Sequence, residues 1–346
     1  MSDFLDVASD LLRSNAVQEK REEFERVFAA IGALQSVHSK AQLDLNNIES
    51  VFTVLELGRI IQRVPGVSSE EVPKVIAALK ELIVKTLEVT MRFPIRGSLI
   101  GIPPPYDNFS KLLIHLYDDT FPRQTVAVIS FNYDIAADIA MYRAGLGPNY
   151  IIGKPIKHVN SDRQTPLLKL HGSLNWATET KNQEILPIHL EDYLNRYTNP
   201  EVDETATIVL PIGSQLVEYF RKHSPSVSVD TAPVIVPPSW NKADYHAALS
   251  DVWASAAKHL SEAEHIFIIG YSLPETDSFF RHLYALGSVG TAPIRRIAIF
   301  NPDESGVIDS RFKALLGPGA IARYEYHAMT FATAISHIKG LFPKRK

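Results

Sequence analysis

Hydrophobic residues in the first third of the chain recur at the spacing of a helix. One helical face is formed by apolar residues at the spacing of a helix, namely Phe24, Val27, Phe28, Ile31 and Leu34. Similar apolar periodicity continues through residues 48–57 and 72–87, and a shorter helix is predicted over 108–117. The pattern therefore predicts a helical region over residues 10–120.

Local signals mark the ends of these helices. Asn46 and Asn47 precede one helix, which is expected to stop near Gly58. Ser68 and Glu71 have the spacing of a capping box in front of the next helix. A proline-rich break over 101–105 separates these helices from the rest of the chain.

The pattern then changes to short apolar runs that end in polar residues. The runs are Val126–Phe131, Leu167–Leu170, Val234–Val236, His265–Ile269, Ile297–Phe300 and Tyr324–Tyr326. Runs that are apolar on both faces indicate strands of a largely parallel sheet covered by helices. Helical patterns alternate with them over Ile135–Ala144, Tyr245–Leu260, Asp277–Leu286 and Val307–Leu316.

This alternation predicts an α/β fold, with a Rossmann-like, doubly wound, mainly parallel sheet and helices on both faces, preceded by the helical N-terminal region. We expect one domain over 1–346, with a core over 121–340. Residues 178–230 are polar and without clear periodicity, which indicates an insertion on the rim.

Composition narrows the class of protein. The 346 residues are 45% hydrophobic and 21% charged, with a net charge of -4, so bulk charge does not indicate a nucleic-acid partner. The absence of cysteine excludes disulfides, thiol catalysis and thiolate-bound zinc. The N-terminus has no signal-peptide pattern, and no apolar run is long enough to span a membrane, so a cytoplasmic protein is expected.

The predicted strands end in polar residues that could share one crevice, because ligands of open α/β sheets bind beyond the carboxyl ends of the strands. Asn132 could donate to a ribose hydroxyl or hold a water, whereas Asp134 more ordinarily caps the following helix. His171 suits a general base, although a lone histidine is more often a packed residue. The other polar strand ends are Ser173, Trp240, Asn241, Ser272, Asn301 and Asp303.

Two interpretations of the stretch from Gly270 to Glu275 remain open. A glycine turn could bring Ser272 and backbone N–H groups to a phosphate or ribose. Alternatively, Ser272 and Glu275 form a capping box with Pro274 in the first turn.

A serine hydrolase is a rival hypothesis. Ser272, Asp303 and His327 follow the order of the α/β-hydrolase triad. The nucleophile elbow, however, needs a small residue where Pro274 stands, and Ser272 would come unusually late in the chain.

The polar strand ends form a set of motifs that resembles the sirtuin superfamily. The motifs are Phe131-Asn-Tyr-Asp134, Leu170-His-Gly-Ser-Leu-Asn-Trp176, Val236-Pro-Pro-Ser-Trp-Asn241, Gly270-Tyr-Ser-Leu-Pro-Glu-Thr-Asp277 and Phe300-Asn-Pro-Asp303. They follow the family's order over residues 125–330. The forms that these motifs take in this chain look like those of the zinc-free bacterial branch found in anti-phage defence proteins.

The resemblance implies NAD as substrate, cleaved to nicotinamide and ADP-ribose. It implies that Asn132 holds water or the nicotinamide ribose and that His171 is the base. Gly270 and Ser272 would approach the phosphate and ribose, and Asn301 the adenosine ribose. The motif residues Phe131, Asp134 and Asp303 are assigned with them to NAD binding. An oligomer of identical chains, or a partner from a defence system, is left open.

Two departures from the family matter. The four-cysteine zinc module is missing, so no zinc and no deacetylase activity are expected. The opening strand and its Gly-Ala-Gly-x-Ser phosphate loop are missing too. The nearest candidate, Gly32-Ala-Leu-Gln-Ser36, lacks the second glycine and lies in a helical pattern. One hypothesis is that Met1 lies just after that motif, which the genomic sequence upstream would test. A catalytically silent nucleotide-binding or partner-binding module is the alternative function.

Overall fold

The computed structural model describes residues 4–96, 99–152, 163–188, 190–196, 207–211, 227–230, 232–236, 243–274, 278–290 and 292–344. Within them the chain divides into two compact units, each described by itself below. The first comprises residues 1–100, 132–135 and 171–248, and the second comprises residues 101–131, 136–170 and 249–346. The chain therefore passes from the second unit to the first after Phe131 and again after Leu170.

Four helices open the first unit. They are α1 (Phe4–Arg13), α2 (Arg21–Leu34), α3 (Ile48–Ile60) and α4 (Val72–Thr90). The predicted face of α2 is the buried one, since Phe24, Val27 and Leu34 are fully enclosed. Residues 32–36 lie in α2 and the short 3-10 turn that follows it, which confirms their helical assignment.

The predicted ends of α3 and α4 are partly wrong. Asn47 does cap α3, because its side-chain oxygen accepts a hydrogen bond from the Glu49 amide at 2.9 Å. The helix nevertheless continues past Gly58, where a Cβ would lie 2.2 Å from a methyl group of Val64, so this glycine permits close packing. The capping box before α4 does not form either, since Glu71 binds Arg26 and Lys74 instead.

The first unit also contains strands. They are β1 (Arg92–Arg96), β2 (Leu99–Ile100), β6 (Gly172–Ser173), β7 (Trp176–Thr178), β8 (Ile185–Pro187), β9 (Thr207–Pro211) and β10 (Val234–Ile235), with helix α7 (Leu190–Arg196) after β8. β1 pairs antiparallel with β2 and β9, and β7 pairs antiparallel with β8. β10 was expected among the parallel strands, but it pairs antiparallel with β6.

The second unit carries the parallel strands. β3 (Val128–Ser130), β5 (Arg163–Lys169) and β4 (Leu146–Asn149) form one sheet in that order. β11 (His265–Ile269), β12 (Arg296–Phe300) and β13 (Tyr324–His327) form another. The helices are α5 (Tyr106–Ile114), α6 (Ala136–Arg143), α8 (Ala243–Ser261), α9 (Ser278–Gly287), α10 (Val307–Leu315), α11 (Pro318–Ile321) and α12 (Phe331–Leu341).

The predicted α/β class is therefore confirmed, with parallel strands flanked by helices. The central strand β12 packs Ala298 and Phe300 against apolar residues of α5 and α12, including Leu112 and Ile335. Among the described helices, none combines the length and the apolar character needed to cross a lipid bilayer.

Candidate functional site

Tyr133 holds the segment that carries Asn132 in the first unit. Its carbonyl oxygen accepts a hydrogen bond from the Leu174 amide at 3.0 Å. Its phenolic hydroxyl donates to the Val236 carbonyl at 3.0 Å. Tyr133 is buried, whereas Asn132 before it is exposed and Asp134 after it is half-buried. The tyrosine therefore anchors a short segment whose polar residues keep access to solvent.

His171 lies on the second segment that Tyr133 contacts. The two rings are 6.2 Å apart between centroids, at an angle of 38°. The carbonyl of His171 accepts a hydrogen bond from the Val236 amide at 2.8 Å, and the residue is only 3% exposed. Asn132 and His171 thus belong to two segments of one unit that are hydrogen bonded to each other.

Gly172 allows this close approach of backbones. Its φ is +87°, and an added Cβ would lie 2.1 Å from the Val234 carbonyl oxygen, so only glycine fits between β6 and β10. The next residue, Ser173, donates from its hydroxyl to the Asn175 side-chain oxygen at 2.6 Å. His171 is therefore followed by a fully buried, hydrogen-bonded turn.

The predicted residues of the second unit begin with an aromatic cluster. Phe131, which follows β3, stacks on Tyr271, which follows β11, with centroids 4.6 Å apart and planes 13° apart. Phe280 of α9 meets both rings edge-on, at 5.4 Å and 5.2 Å. The residues that directly follow β3 and β11 are therefore in contact within this unit.

The turn after β11 is shaped by a glycine and an arginine. Gly270 has a φ of +74°, and nothing lies within 4 Å of where its Cβ would be. Its amide donates to the Phe300 carbonyl at 2.8 Å. The Ser272 carbonyl accepts from the Arg311 guanidinium at 3.3 Å. Arg311 gave no signal in the sequence, because its role depends on the packing of α10.

Asn301 and Asp303 organise the loop between β12 and α10. The Asn301 side-chain oxygen accepts from the Asp303 amide at 3.0 Å. The Asp303 carboxylate accepts from the Ser305 amide and hydroxyl and from the Ile308 amide. These bonds hold the pKa of the Asp303 carboxyl below its usual range, and the bond from the Ser305 hydroxyl has the largest effect. The Asn301 and Asp303 side chains therefore form most of these hydrogen bonds with backbone amides of their own loop.

The hydrogen bonds of the residues in the serine-hydrolase hypothesis run elsewhere. His327 Nε2 lies 3.3 Å from a Glu325 carboxylate oxygen, and its ring stacks on Phe300. Asp303 is engaged by its own loop, as above. In the described ranges no hydrogen bond joins Ser272, Asp303 and His327.

Sequence reasoning missed a buried ion pair in the second unit. Lys169 Nζ lies 3.1 Å from one Asp138 carboxylate oxygen, and the two side chains are 1% and 0% exposed. The Tyr150 hydroxyl donates to the other carboxylate oxygen at 2.6 Å. The available signal was a lysine inside an otherwise apolar run, Leu167–Leu170.

Other predicted residues cannot be placed. Trp240, Asn241 and Glu275 lie outside the described residues, so the alternative capping box with Ser272 stays a prediction. In the part of the chain that the structure describes, no group of three or more histidine, aspartate or glutamate side chains could hold a metal ion.

Comparison with known proteins yields matches among solved structures. No protein-family model matches the sequence, and neither does any curated protein. A crystal structure of Sir2 in complex with an inhibitor, 2′-O-acetyl-ADP-ribose and a deacetylated peptide is 12% identical, covers 89% of this chain and 90% of that chain, and has a TM-score of 0.35.

Two further structures match over large parts of the chain. A complex of a Sir2 homolog with NAD is 13% identical, covers 84% of this chain and 87% of that chain, and has a TM-score of 0.34. Sir2Tm bound to a propionylated peptide is 14% identical, covers 69% and 70%, and has a TM-score of 0.32. Those ligands belong to those proteins, and the function of this chain is argued from its own motifs and contacts.

Proposed function

We propose that this protein binds NAD and hydrolyses its N-glycosidic bond, releasing nicotinamide and ADP-ribose. The observation that carries the proposal is the pairing of the two segments that bear Asn132 and His171, through Tyr133. A carboxamide and an imidazole held on adjoining segments provide a polar group to orient a nucleophile and a base to deprotonate it.

In the proposed reaction the bond between the ribose C1′ and the nicotinamide nitrogen breaks, and its electron pair leaves with nicotinamide. Positive charge develops on the ribosyl centre as this bond stretches. A water oxygen, oriented by the Asn132 carboxamide, forms the new bond to C1′. His171 accepts the proton that this water loses, so the products are nicotinamide, ADP-ribose and one proton.

The remaining motif residues are assigned to the rest of the NAD molecule. They are Phe131, Asp134, Gly270, Ser272, Asn301 and Asp303. The open space beside Gly270 supports its assignment, because a backbone without a side chain permits close approach of a phosphate or ribose. Their contacts with NAD are part of the proposal.

Nicotinamide release from NAD by the purified protein tests the proposal. Asn132→Ala and His171→Gln should each abolish release. Asn132 is exposed, so its substitution should change the melting temperature only slightly. His115→Gln is the matched control for His171, because both residues are 3% exposed and His115 Nε2 lies 2.7 Å from the Phe342 carbonyl oxygen. Retained activity in both site variants would refute the assignment.

A catalytically silent nucleotide-binding module is the second candidate. The loop after β12 favours it, because the Asn301 and Asp303 side chains form hydrogen bonds with neighbouring backbone amides. Calorimetry with ADP-ribose separates the candidates. Binding of ADP-ribose without any release of nicotinamide from NAD would favour the silent module.

The cellular part of the proposal rests on the resemblance of the motifs to those of anti-phage defence proteins. We place the protein in the cytoplasm, where NAD is available, and expect a partner or assembly of identical chains to raise its activity above the basal rate of the purified protein. Infecting cells that carry the wild-type gene or the His171→Gln gene, and measuring plaques and cellular NAD, tests this role. Equal plaque numbers and equal NAD levels would refute it.

A further inference from the structure

The Lys169–Asp138 ion pair joins two elements that lead directly to the proposed catalytic residues. Lys169 is the last residue of β5, two positions before His171. Asp138 lies near the start of α6, six positions after Asn132. The pair therefore links the strand that precedes one catalytic segment to the helix that follows the other.

Tyr150 completes this network from a third direction. It directly follows β4, which pairs with β5 on the side away from β3. Its hydroxyl occupies the Asp138 carboxylate oxygen that Lys169 leaves, at 2.6 Å. Asp138 thus receives one donor on each oxygen, and β4, β5 and α6 are fixed to a single carboxylate.

The end of β5 is held by further hydrogen bonds. The Leu170 amide donates to the Ser130 carbonyl of β3 at 3.0 Å. The Trp253 indole N–H donates to the Leu170 carbonyl at 3.2 Å. Both backbone groups of the residue before His171 are therefore engaged.

A buried ion pair is an expensive way to stabilise a fold, because both charges lose their hydration. Apolar residues of similar size often give comparable stability at such a position. Such a pair does impose one geometry, since a misplaced partner leaves an uncompensated charge in the interior. The network is therefore better explained by a requirement for position than by a requirement for stability.

We propose that Lys169, Asp138 and Tyr150 are positioning residues that fix the separation of the segments carrying Asn132 and His171. The inference rests on the proposed function for its catalytic consequence. All three side chains are buried, and in this proposal none of them contacts NAD. They act by holding the ends of β5 and α6, from which those segments continue.

The test uses the full-length protein and two matched substitutions. Tyr150→Phe removes the hydroxyl that binds Asp138. Tyr324→Phe removes an equivalent tyrosine–aspartate hydrogen bond elsewhere, in which the Tyr324 hydroxyl lies 2.8 Å from an Asp309 oxygen. The readouts are kcat and KM for nicotinamide release, and the NMR signals of the His171 ring in protein with labelled histidine, assigned with His171→Gln.

We expect Tyr150→Phe to lower kcat by about tenfold to a hundredfold with KM changed less than about threefold, because small misplacements of reacting groups have effects of this size. The His171 ring signals should shift or broaden. Tyr324→Phe should change neither readout. If Tyr150→Phe does not fold, Asp138→Asn, which keeps the shape of the side chain at the centre of the network, replaces it with the same expected results.

The outcomes separate this inference from the proposed function. Failure of the wild type to release nicotinamide would refute the function, and the ring signals would still decide the inference without turnover. His171 signals in Tyr150→Phe that match the wild type would overturn the inference. So would equal losses of kcat in Tyr150→Phe and Tyr324→Phe, which would indicate a general structural effect.

Discussion

Gly172→Ala probes the backbone contact that follows His171. Two costs are expected at this position. The residue has a φ of +87°, and the new Cβ would lie 2.1 Å from the Val234 carbonyl oxygen and 3.0 Å from its carbonyl carbon. Neither neighbour is the flexible end of a side chain, so the two strands β6 and β10 must separate.

The magnitude follows from these two costs. A left-handed conformation costs alanine about 1–2 kcal/mol. Forcing an extra carbon into a packed site costs about 1–3 kcal/mol more. Reduced freedom of the unfolded chain offsets part of the backbone cost, so we expect Gly172→Ala to lower the free energy of unfolding by about 2–4 kcal/mol.

Gly306→Ala provides the matched control. Gly306 has a similar φ of +80°, but nothing lies within 4 Å of its Cβ position. Its substitution should cost only about 1 kcal/mol, since reduced freedom of the unfolded chain offsets part of the backbone strain. Urea unfolding followed by tryptophan fluorescence measures both variants. A Gly172→Ala loss no greater than that of Gly306→Ala would refute the predicted clash.

Three further predictions concern charged groups. Lys169→Met leaves the buried Asp138 carboxylate without its cation and should lower the free energy of unfolding by about 3–5 kcal/mol. The double variant Lys169→Met/Asp138→Leu should recover most of this loss. A double variant as unstable as Lys169→Met would contradict the argument. The pKa of Asp303 is lowered in the folded state, so its stabilisation is present above the carboxyl's ordinary pKa and is lost as the pH falls through the folded value. Asp303→Asn should therefore be less stable than the wild type at pH 7 in urea titrations, with the difference disappearing in acid; a constant difference would refute this. The Arg163–Asp118 pair is about 40% exposed on both sides, so Asp118→Asn should cost less than about 1 kcal/mol and less still in high salt, whereas a larger, salt-independent loss would contradict it.

The predictability of each element follows from where its interactions lie along the chain. β11 was predicted with its observed bounds, His265–Ile269, because a continuous apolar run between polar residues needs no distant partner to be recognised. β1 was missed because Pro94 argues against a strand, and its pairing with β9 involves residues more than a hundred positions away. Long-range pairing is invisible in a local pattern.

The same distinction holds for the candidate site. Asn132 and His171 could be selected from the sequence because each follows an apolar run and belongs to a motif. The hydrogen bonds of Tyr133 could not be predicted, since their partners Leu174 and Val236 are far apart in the chain. Lys169 was not singled out from the sequence, and its partner Asp138 is 31 positions away, so only the fold identifies the pair.

The chain passes from the second unit to the first at two crossings, after Phe131 and after Leu170, and the proposed catalytic residues follow these crossings directly. Ser130 and Leu170 are hydrogen bonded to each other at 3.0 Å just before the crossings. Tyr133 and Leu174 are hydrogen bonded, also at 3.0 Å, just after them. Asn132 and His171 are therefore bracketed on both sides by contacts between the same two segments.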